Sequence, residues 1–256
     1  MDLLKYLQLL LLFTIALVTF RLFGEENQQT QTTSSPKPRI FLAKELKQMI
    51  GAENGEPLVT FEENQKSIVC RQRLTGLSNP PKILVRQAVA DKLQKVQMKL
   101  QKKYPNRQLV VIDGYRHPLV QEEEFLKQFA MLARQYPAMN VEELDEKTHL
   151  LIALPSVAGH PTGGAVDVTL CEDGHEIDMG GEMGDITRTD LIPTFAQGLT
   201  PIQKENRLLL LNLMSEEGFA PFYGEWWHFS YGDREWAAFY SKPQTLYSPL
   251  YIKSQD

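Results

Sequence analysis

The sequence has few of the features that mark redox proteins or nucleic-acid-binding proteins. Its 256 residues include only two cysteines, Cys70 and Cys171, and no Cys-x-x-Cys pair. We therefore expect no thiolate metal site, and we interpret both cysteines as buried thiols, with a single disulfide as the alternative if the domain is exported. The net charge of −5 and the lack of like-charged blocks argue against a nucleic-acid partner.

An uncharged apolar run occupies residues 6–20, between Lys5 and Arg21. As a helix it would span about 22 Å at ~1.5 Å per residue, which is shorter than the ~30 Å hydrocarbon core. This length is typical of the apolar centre of a signal peptide or of a short anchor whose flanking basic residues reach the interface. No small-x-small cleavage site follows, so we favour an uncleaved anchor within residues 1–24, with a core helix as the third alternative.

The composition changes after this run. Residues 25–38 are rich in Gln, Thr, Ser and Pro, which predicts a flexible linker because such a segment cannot bury apolar surface. The folded domain is then expected in residues 39–256. We expect that domain in the cell envelope, either periplasmic or membrane-anchored and facing the periplasm, with a cytoplasmic location as the alternative.

Helix and strand patterns follow one another without the regular βαβ rhythm of a parallel sheet. Helical spacing of apolar residues and helix-end signals predict helices at 84–100, 120–132 and 200–218. Strand patterns predict strands at 108–113 and 165–170. The composition of residues 172–199 predicts a long functional loop. This mixture predicts an α+β domain with a small, mainly antiparallel sheet and flanking helices.

Two short stretches concentrate the side chains that zinc sites use. Glu225-Trp-Trp-His228 separates a carboxylate from an imidazole by two indoles, of which we expect at least one to be core packing. Upstream, His160 lies in a Gly-rich and Ser-rich loop, and Asp167 lies on a predicted strand. Two imidazoles and one carboxylate suit Zn²⁺ and leave its fourth position for water. We predict one zinc ion per chain, bound by His160, Asp167 and His228, with Glu225 as a proton carrier.

The remaining histidines carry weaker signals, because a lone histidine is usually a surface or hydrogen-bonded residue. His175 is interpreted as a loop residue rather than as a second metal ligand.

Three segments resemble the signature motifs of one enzyme family, in that family's order: Asp113-Gly-Tyr-Arg116, Ser156-x-x-x-His160-x-x-x-Gly164-Ala165-x-Asp167 and Glu225-Trp-Trp-His228. They are similar to the motifs of D-alanyl-D-alanine dipeptidases of the VanX type. Those enzymes belong to a wider group of zinc D,D- and L,D-peptidases with a Hedgehog-like fold. The similarity covers roughly residues 80 to 240, and it implies the same fold and a zinc-dependent hydrolase.

The resemblance also implies roles for individual residues. His160, Asp167 and His228 are implied to bind zinc, and Glu225 is implied to act as general base and acid. Arg116 matches the arginine that stabilises the negative oxygen of the tetrahedral intermediate. A salt bridge between Arg116 and a nearby carboxylate such as Asp113 is the alternative interpretation.

Substrate contacts are the less specific part of the resemblance. We expect Tyr115, Ser156 and Asp185 to bind substrate, with His117 helping to shape the pocket. The segment from Asp178 to Asp185 is one residue longer than is usual in the family, so Glu182 competes with Asp185 for the substrate ammonium group.

The implied function is hydrolysis of D-Ala-D-Ala, or of closely related short D-peptides, by a zinc-activated water with Glu225 as general base. An envelope D,D- or L,D-carboxypeptidase that trims peptidoglycan stem peptides is the alternative, although Glu-Trp-Trp-His rather than Pro-Trp-His favours the dipeptidase. A zinc-stabilised binding module without catalysis is the third hypothesis. The expected partners are a short D-peptide and, through residues 6–20, a membrane.

Overall fold

A computed structural model of the chain describes residues 38–61, 68–70, 82–184 and 186–252. The predicted anchor at 1–24 and residues 25–37 of the predicted linker lie outside the described residues. Ile40–Asp256 forms one compact unit. No helix among the described residues combines the length and the apolarity that crossing a bilayer requires.

The described residues form six α-helices and eight strands. The helices are α1 (Ala43–Leu46), α2 (Gln87–Lys103), α3 (Pro118–Gln135), α4 (Val141–His149), α5 (Pro201–Glu216) and α6 (Arg234–Phe239). The strands are β1 (Leu58–Thr60), β2 (Val69–Cys70), β3 (Leu84–Arg86), β4 (Arg107–Asp113), β5 (Ala165–Glu172), β6 (His175–Glu176), β7 (Ala220–Pro221) and β8 (His228–Ser230). Short 3-10 helices occupy His160–Thr162 and Ile186–Leu191.

The main sheet has six strands in the order β2-β4-β5-β8-β7, with β6 paired to β5. Only the β2–β4 pairing among them is parallel. A separate two-stranded antiparallel sheet joins β1 to β3. The predicted α+β class with a small, mainly antiparallel sheet is therefore confirmed.

Helices α2 and α5 cover the main sheet and close the core. The predicted stripe of α2 is fully buried, since Val89, Leu93, Val96 and Leu100 have no exposed surface. They pack with Val166, Val168 and Leu170 of β5 and with Leu210 and Met214 of α5 in one apolar cluster. Apolar side chains at helical spacing on α2 thus meet alternate side chains of a strand, which is why the two periodicities in the sequence locate this core.

The helix that begins after Thr200 has the predicted start. The Thr200 side chain accepts a hydrogen bond from the backbone N–H of Gln203, whose side chain in turn accepts from the N–H of Thr200. Pro201 occupies the first turn, where its missing N–H costs nothing. The helix ends at Glu216, and Gly218 then adopts a positive φ of 81°.

Two boundaries differ from the predictions. The helical stretch expected from Leu84 begins only at Gln87, because Leu84–Arg86 pairs with β1 and the backbone N–H of Arg86 bonds to the carbonyl of Gly163. The loop expected at 172–199 contains β6 and a 3-10 helix. Both differences arise from contacts between segments that are distant in sequence, and the spacing of apolar residues does not show such contacts.

Neither cysteine forms a disulfide in this fold. Cys171 is buried on β5 and Cys70 is half-buried on β2, on either side of β4. The preferred interpretation of thiols without a disulfide is confirmed, although only Cys171 is fully buried.

Candidate metal centre and active site

Three side chains converge where β5 meets β8 and the His160 turn. Asp167 on β5 lies directly opposite His228 on β8 in the strand register. His160 begins the 3-10 helix that leads into β5. The antiparallel register therefore brings together residues that are 61 positions apart in sequence.

The geometry of this triad suits one metal ion. Asp167 Oδ1 lies 3.4 Å from His160 Nε2 and 3.1 Å from His228 Nδ1. One ligand atom from each residue falls within 4.8 Å of the other two. Tetrahedral zinc with ligands at about 2.0–2.1 Å separates its ligand atoms by roughly 3.3–3.4 Å. The nitrogen and oxygen donors thus fit a divalent cation such as zinc with little rearrangement.

A backbone carbonyl fixes the orientation of the His160 ring. His160 Nδ1 lies 2.6 Å from the carbonyl oxygen of Gly114. Because a carbonyl only accepts hydrogen bonds, Nδ1 carries the proton and Nε2 presents its lone pair towards Asp167 and His228. A metal-ligating histidine commonly has such a partner on its other nitrogen.

The triad is buried and electrostatically coupled. His160 and Asp167 are 6% and 3% exposed, and His228 is half-buried. Burial alone would raise the pKa of Asp167, but the adjacent imidazoles of His160 and His228 hold that pKa well below its usual value. The carboxylate is therefore ionised, which is the state that binds a cation.

Glu225 reaches the same cavity as the triad from the turn before β8. The turn is closed by hydrogen bonds from the Glu225 N–H to the Phe222 carbonyl and from the His228 N–H to the Glu225 carbonyl. Trp226 and Trp227 are both buried in the core cluster, and Trp227 also lines the cavity. The indoles thus combine core packing with the wall of the site.

Arg116 follows β4 and also lines the cavity. Its guanidinium donates to Asp113 Oδ2 at 2.6 Å and to Gln121 Oε1 at 3.0 Å. Burial would lower the pKa of Arg116, but the carboxylates of Asp113, Asp167 and Glu225 outweigh it and raise that pKa. The salt bridge to Asp113 is therefore present, and it holds a permanent positive charge beside the triad.

A fully buried arginine holds the His160 turn in place. Arg86 donates from Nε to the Thr162 carbonyl at 2.7 Å and from Nη2 to Glu53 Oε2 at 2.7 Å. The turn itself closes at Gly163, whose φ is +72°, and a Cβ there would lie 2.3 Å from Leu58 Cδ2. Glycine is therefore required at position 163 for steric as well as conformational reasons.

A second buried arginine holds the long loop after β6. Arg207 on α5 donates to the carbonyls of Met179, Leu191 and Pro193 at 2.6–2.7 Å. Burial lowers its pKa to about 10, against the opposing charge of Asp178. Glu182 is exposed on this loop, and Gly184 beside it lines the cavity. Asp185, its predicted competitor for the substrate ammonium, lies outside the described residues.

The remaining predicted contacts lie elsewhere in the structure. The Tyr115 hydroxyl donates to the Leu250 carbonyl at 2.6 Å, and His117 packs edge-on against Tyr115 and Tyr251. Ser156 lines a separate cavity of about 20 Å³. His175 is exposed in a short hairpin. Neither Tyr115, His117 nor Ser156 is among the described residues that line the cavity of the triad.

The cavity has a volume of about 200 Å³, and its lining extends well beyond the triad. Residues that sequence reasoning did not single out, namely Gln121, His149, Asp233 and Glu235, also contribute to the wall. None of these residues lies in one of the recognised motifs, and a single sequence does not show that such a polar residue is buried.

These features define a peptidase class. A sequence-family model described as D-ala-D-ala dipeptidase, of the peptidase M15 group, matches residues 63–246. The chain belongs to this family of metallopeptidases, and it is a hydrolase. Among curated proteins, a D-alanyl-D-alanine dipeptidase of Synechocystis sp. is 31% identical to it over 182 aligned residues, which cover 62% of this chain and 73% of that relative.

Two solved peptidase structures are loosely similar to this chain. One is a mutant VanY D,D-pentapeptidase from a VanB-type resistance cassette in complex with Zn(II), with 17% identity, a TM-score of 0.41, and coverage of 77% of this chain and 90% of that chain. The other is the LdcB LD-carboxypeptidase, with 19% identity, a TM-score of 0.43, and coverage of 76% of each chain. Family membership rests on the sequence matches rather than on these loose superpositions.

Proposed function

We propose that this chain is a zinc-dependent dipeptidase that hydrolyses D-Ala-D-Ala or closely related short D-peptides. The observation that carries the proposal is the convergence of His160, Asp167, His228, Glu225 and Arg116 on one cavity. The similarity to a curated D-alanyl-D-alanine dipeptidase supports the choice of substrate.

Zinc is the metal that this donor set favours, because two imidazoles and one carboxylate leave a position open for a catalytic water. At this position a bound zinc ion would supply Lewis-acid chemistry, which lowers the pKa of water to near neutral. His160 Nε2, oriented by the Gly114 carbonyl, and the ionised Asp167 would hold the ion together with His228.

Glu225 and Arg116 divide the remaining chemistry between them. The Glu225 carboxylate accepts the proton of the attacking water and passes it to the departing amine as the C–N bond breaks. The Arg116 guanidinium, fixed by Asp113 and Gln121, offsets the negative charge that develops on the carbonyl oxygen. The buried Trp227 limits the access of bulk water on one side of the site.

The size of the cavity supports a short substrate. Its volume of about 200 Å³ lies below the roughly 300 Å³ at which pockets for drug-sized ligands begin. A dipeptide fits such a space better than a long peptide chain does.

A hydrolysis panel tests the proposal. The zinc-loaded protein is incubated with D-Ala-D-Ala, L-Ala-D-Ala, L-Ala-L-Ala and a muropeptide that ends in D-Ala-D-Ala, and the free amino acids are quantified. We expect the D,D-dipeptide to be cleaved fastest. Faster release of D-Ala from the muropeptide would establish the envelope carboxypeptidase instead, and zinc binding without turnover of any peptide would indicate a binding module.

We also propose that residues 6–20 carry the domain to the cell envelope and contact the membrane there. The apolar run and the polar segment after it support this location, and a cytoplasmic enzyme is the competing arrangement. Fractionation of cells that express the full chain, followed by protease treatment of intact spheroplasts, separates the two. Protection from protease until the cells are lysed would argue for the cytoplasm.

A further inference from the structure

One part of the cavity contains acidic groups that the proposed chemistry does not use. We name it the acidic lobe and define it by Asp233, Glu235 and His149, together with Leu46, Ile152 and Val157, all of which line the same cavity as the triad. Its side chains come from α1, α4, α6 and the segment between α4 and the His160 turn. A substrate bound at the triad therefore has access to this lobe within the same cavity.

One carboxylate oxygen of Asp233 has no hydrogen-bond partner among the described residues. Its Oδ1 caps α6 by accepting from the Trp236 N–H at 2.8 Å and also accepts from Ser230 Oγ at 2.8 Å. Its Oδ2 is buried and has no hydrogen-bond partner within the described ranges, although the residue is only 1% exposed. An unsatisfied buried carboxylate oxygen is costly, so this atom needs a ligand or water to complete it.

His149 presents a second unpartnered acceptor. Its side chain is 4% exposed, and Nδ1 lies 2.8 Å from the Asp145 carbonyl oxygen. Nδ1 therefore carries the proton, and in the neutral ring Nε2 can only accept. That Nε2 atom is buried and also lacks a partner in the part of the chain that the structure describes.

Glu235 adds a second carboxyl group to the lobe. It is 8% exposed, and the charged groups that act on it, Asp233 and Glu45, are both acidic. Burial and these two carboxylates raise the pKa of Glu235 well above its usual value. A cation that enters the lobe would relieve this repulsion.

Two charged groups of the nearby cavity wall are already paired within the fold. Glu146 uses its carboxylate to accept from the N–H groups of Ala43 and Lys44 at the start of α1. Arg116 is held by Asp113 and Gln121. The lobe therefore presents acceptors to a ligand that brings its own positive charge and its own N–H donors.

A second metal ion does not fit this arrangement. Among the His, Cys, Asp and Glu residues that the structure describes, only the triad brings three ligand atoms close enough for one ion. Leu46, Ile152 and Val157 instead give the lobe an apolar wall, which suits methylene groups. An aliphatic chain with a terminal ammonium matches both the wall and the acceptors.

We propose that the acidic lobe binds the side-chain ammonium of a basic substrate residue, so that the enzyme accepts short peptides containing a lysine-like residue as well as D-alanine. The proposal rests on the proposed function, because it names a wider substrate class for the same site. Asp233 Oδ2 and Glu235 are the acceptors that give the preference for a charged amine, and His149 Nε2 contributes to it.

The test compares a charged side chain with a neutral one of the same shape. Hydrolysis of D-Ala-D-Lys and D-Lys-D-Ala is measured against D-Ala-D-norleucine and D-norleucine-D-Ala, using the zinc-loaded full-length chain. We expect the lysine peptide of at least one pair to have a kcat/KM about 10-fold higher, since a charge-assisted hydrogen bond in a buried site is worth at least that factor.

Two isosteric variants locate the effect. Glu235→Gln removes a charge, and Asp233→Asn replaces one acceptor by a donor while its remaining oxygen can still cap α6. We expect each variant to reduce the lysine-to-norleucine ratio to about 2 or less, because the charged partner of the ammonium is lost. The exposed Glu216→Gln serves as the matched control and should keep the parent ratio, and thermal unfolding verifies that all variants fold.

The outcomes separate this proposal from the proposed function. If D-Ala-D-Ala is hydrolysed but lysine and norleucine peptides are cleaved at equal rates, the ammonium site is overturned and the dipeptidase stands. The same conclusion follows if Glu235→Gln and Asp233→Asn leave the lysine-to-norleucine ratio of kcat/KM unchanged. If no peptide is hydrolysed, the dipeptidase fails, and calorimetric binding of the same four peptides still decides the lobe. Equal affinity for lysine and norleucine peptides would show that the lobe does not bind the ammonium group.

Discussion

The two ends of the cavity differ in whether their buried polar atoms have partners. At the triad, Asp167 lies between two imidazoles, and the far nitrogen of His160 is satisfied by the Gly114 carbonyl. In the acidic lobe, Asp233 Oδ2 and His149 Nε2 are buried without partners in the described part of the chain. Both ends contain carboxylates, and the carboxylate of the triad lies against two imidazoles.

The contrast indicates how a buried acidic site is completed. At the triad, three ligand atoms lie close enough together to bind one ion. The lobe has acceptors that do not converge in that way, so it needs a partner with several N–H donors rather than a bare cation. Five predictions test or refine this comparison.

The largest effect is expected at Glu225, on the metal side of the comparison. Glu225→Ala removes the proton carrier, so kcat should fall by about 10²–10⁴-fold. Zinc content, measured by atomic emission after dialysis, should match that of the parent because Glu225 is not one of the three ligands. Turnover equal to that of the parent would remove Glu225 from the mechanism.

The next effect is expected at Arg116, which faces the same centre. Arg116→Met should lower kcat by roughly 10²–10³-fold, because one fixed donor to the developing oxyanion is lost. Steady-state kinetics on D-Ala-D-Ala measures the effect, with the exposed Arg134→Met as the control. A change in stability with unchanged kcat would leave Arg116 with only its structural pairing to Asp113.

A steric change at the boundary of the two ends comes third. A Cβ on Gly159 would lie 2.1 Å from Asp233 Oδ2 and 2.8 Å from Ala165 Cβ. Gly159→Ala should therefore destabilise the fold by about 1–3 kcal/mol and weaken zinc binding by displacing His160. Urea unfolding and zinc titration measure the two effects. Gly198→Ala, where the nearest atom is 3.2 Å away on a leucine side chain, should cost much less.

A smaller effect, with the opposite sign, is expected at Glu235. Its pKa is raised in the folded state, so ionisation opposes folding as the pH rises above the unfolded-state value of about 4.3. Glu235→Gln should therefore increase the free energy of unfolding at pH 7 by about 1 kcal/mol or more. The gain should vanish below pH ~4, where the glutamate is protonated in both states.

Denaturant unfolding at several pH values measures this difference between Glu235→Gln and the parent. The exposed Glu216→Gln serves as the comparison, since its carboxylate is not buried. A gain that does not depend on pH would show that the Glu235 carboxylate is not repelled in the folded protein.

The smallest effect is expected at Tyr115, outside the cavity. Tyr115→Phe removes the hydrogen bond to the Leu250 carbonyl and should cost about 1 kcal/mol of stability, as measured by thermal unfolding. KM for D-Ala-D-Ala should change by less than about 2-fold, because a contact worth more than 0.4 kcal/mol would be needed to exceed that. A large rise in KM would restore Tyr115 as the substrate contact that its motif predicted.

The metal centre could be predicted largely because its residues lie in short motifs. His160, Asp167 and Glu225-Trp-Trp-His228 combine metal-binding side chains with glycine-rich or strand context, so a single sequence contains both the ligands and the local geometry. The register that places Asp167 opposite His228 could not be predicted, because it depends on the pairing of β5 with β8. The partner of His160 is a backbone atom of Gly114, for which no side chain gives a signal.

The acidic lobe could not be predicted for a different reason. Asp233 lies directly before α6 and Glu235 lies in its first turn, where acidic residues are ordinarily solvated. Asp233 does cap α6, but the packing of α1 against α6 buries both carboxylates. Burial by a segment nearly two hundred residues away is a tertiary effect that propensity and periodicity do not report.

The C-terminal segment has a practical consequence for handling the enzyme. The Leu250 N–H donates to the Pro161 carbonyl, one residue after His160, and the Leu250 carbonyl accepts from Tyr115, one residue before Arg116. The tail thus ties together the two loops that carry a metal ligand and the guanidinium. If a carboxypeptidase removed the chain back to Leu250 during purification, both loops would lose this contact together. Protein of intact mass should therefore be separated from C-terminally truncated protein before activity is measured.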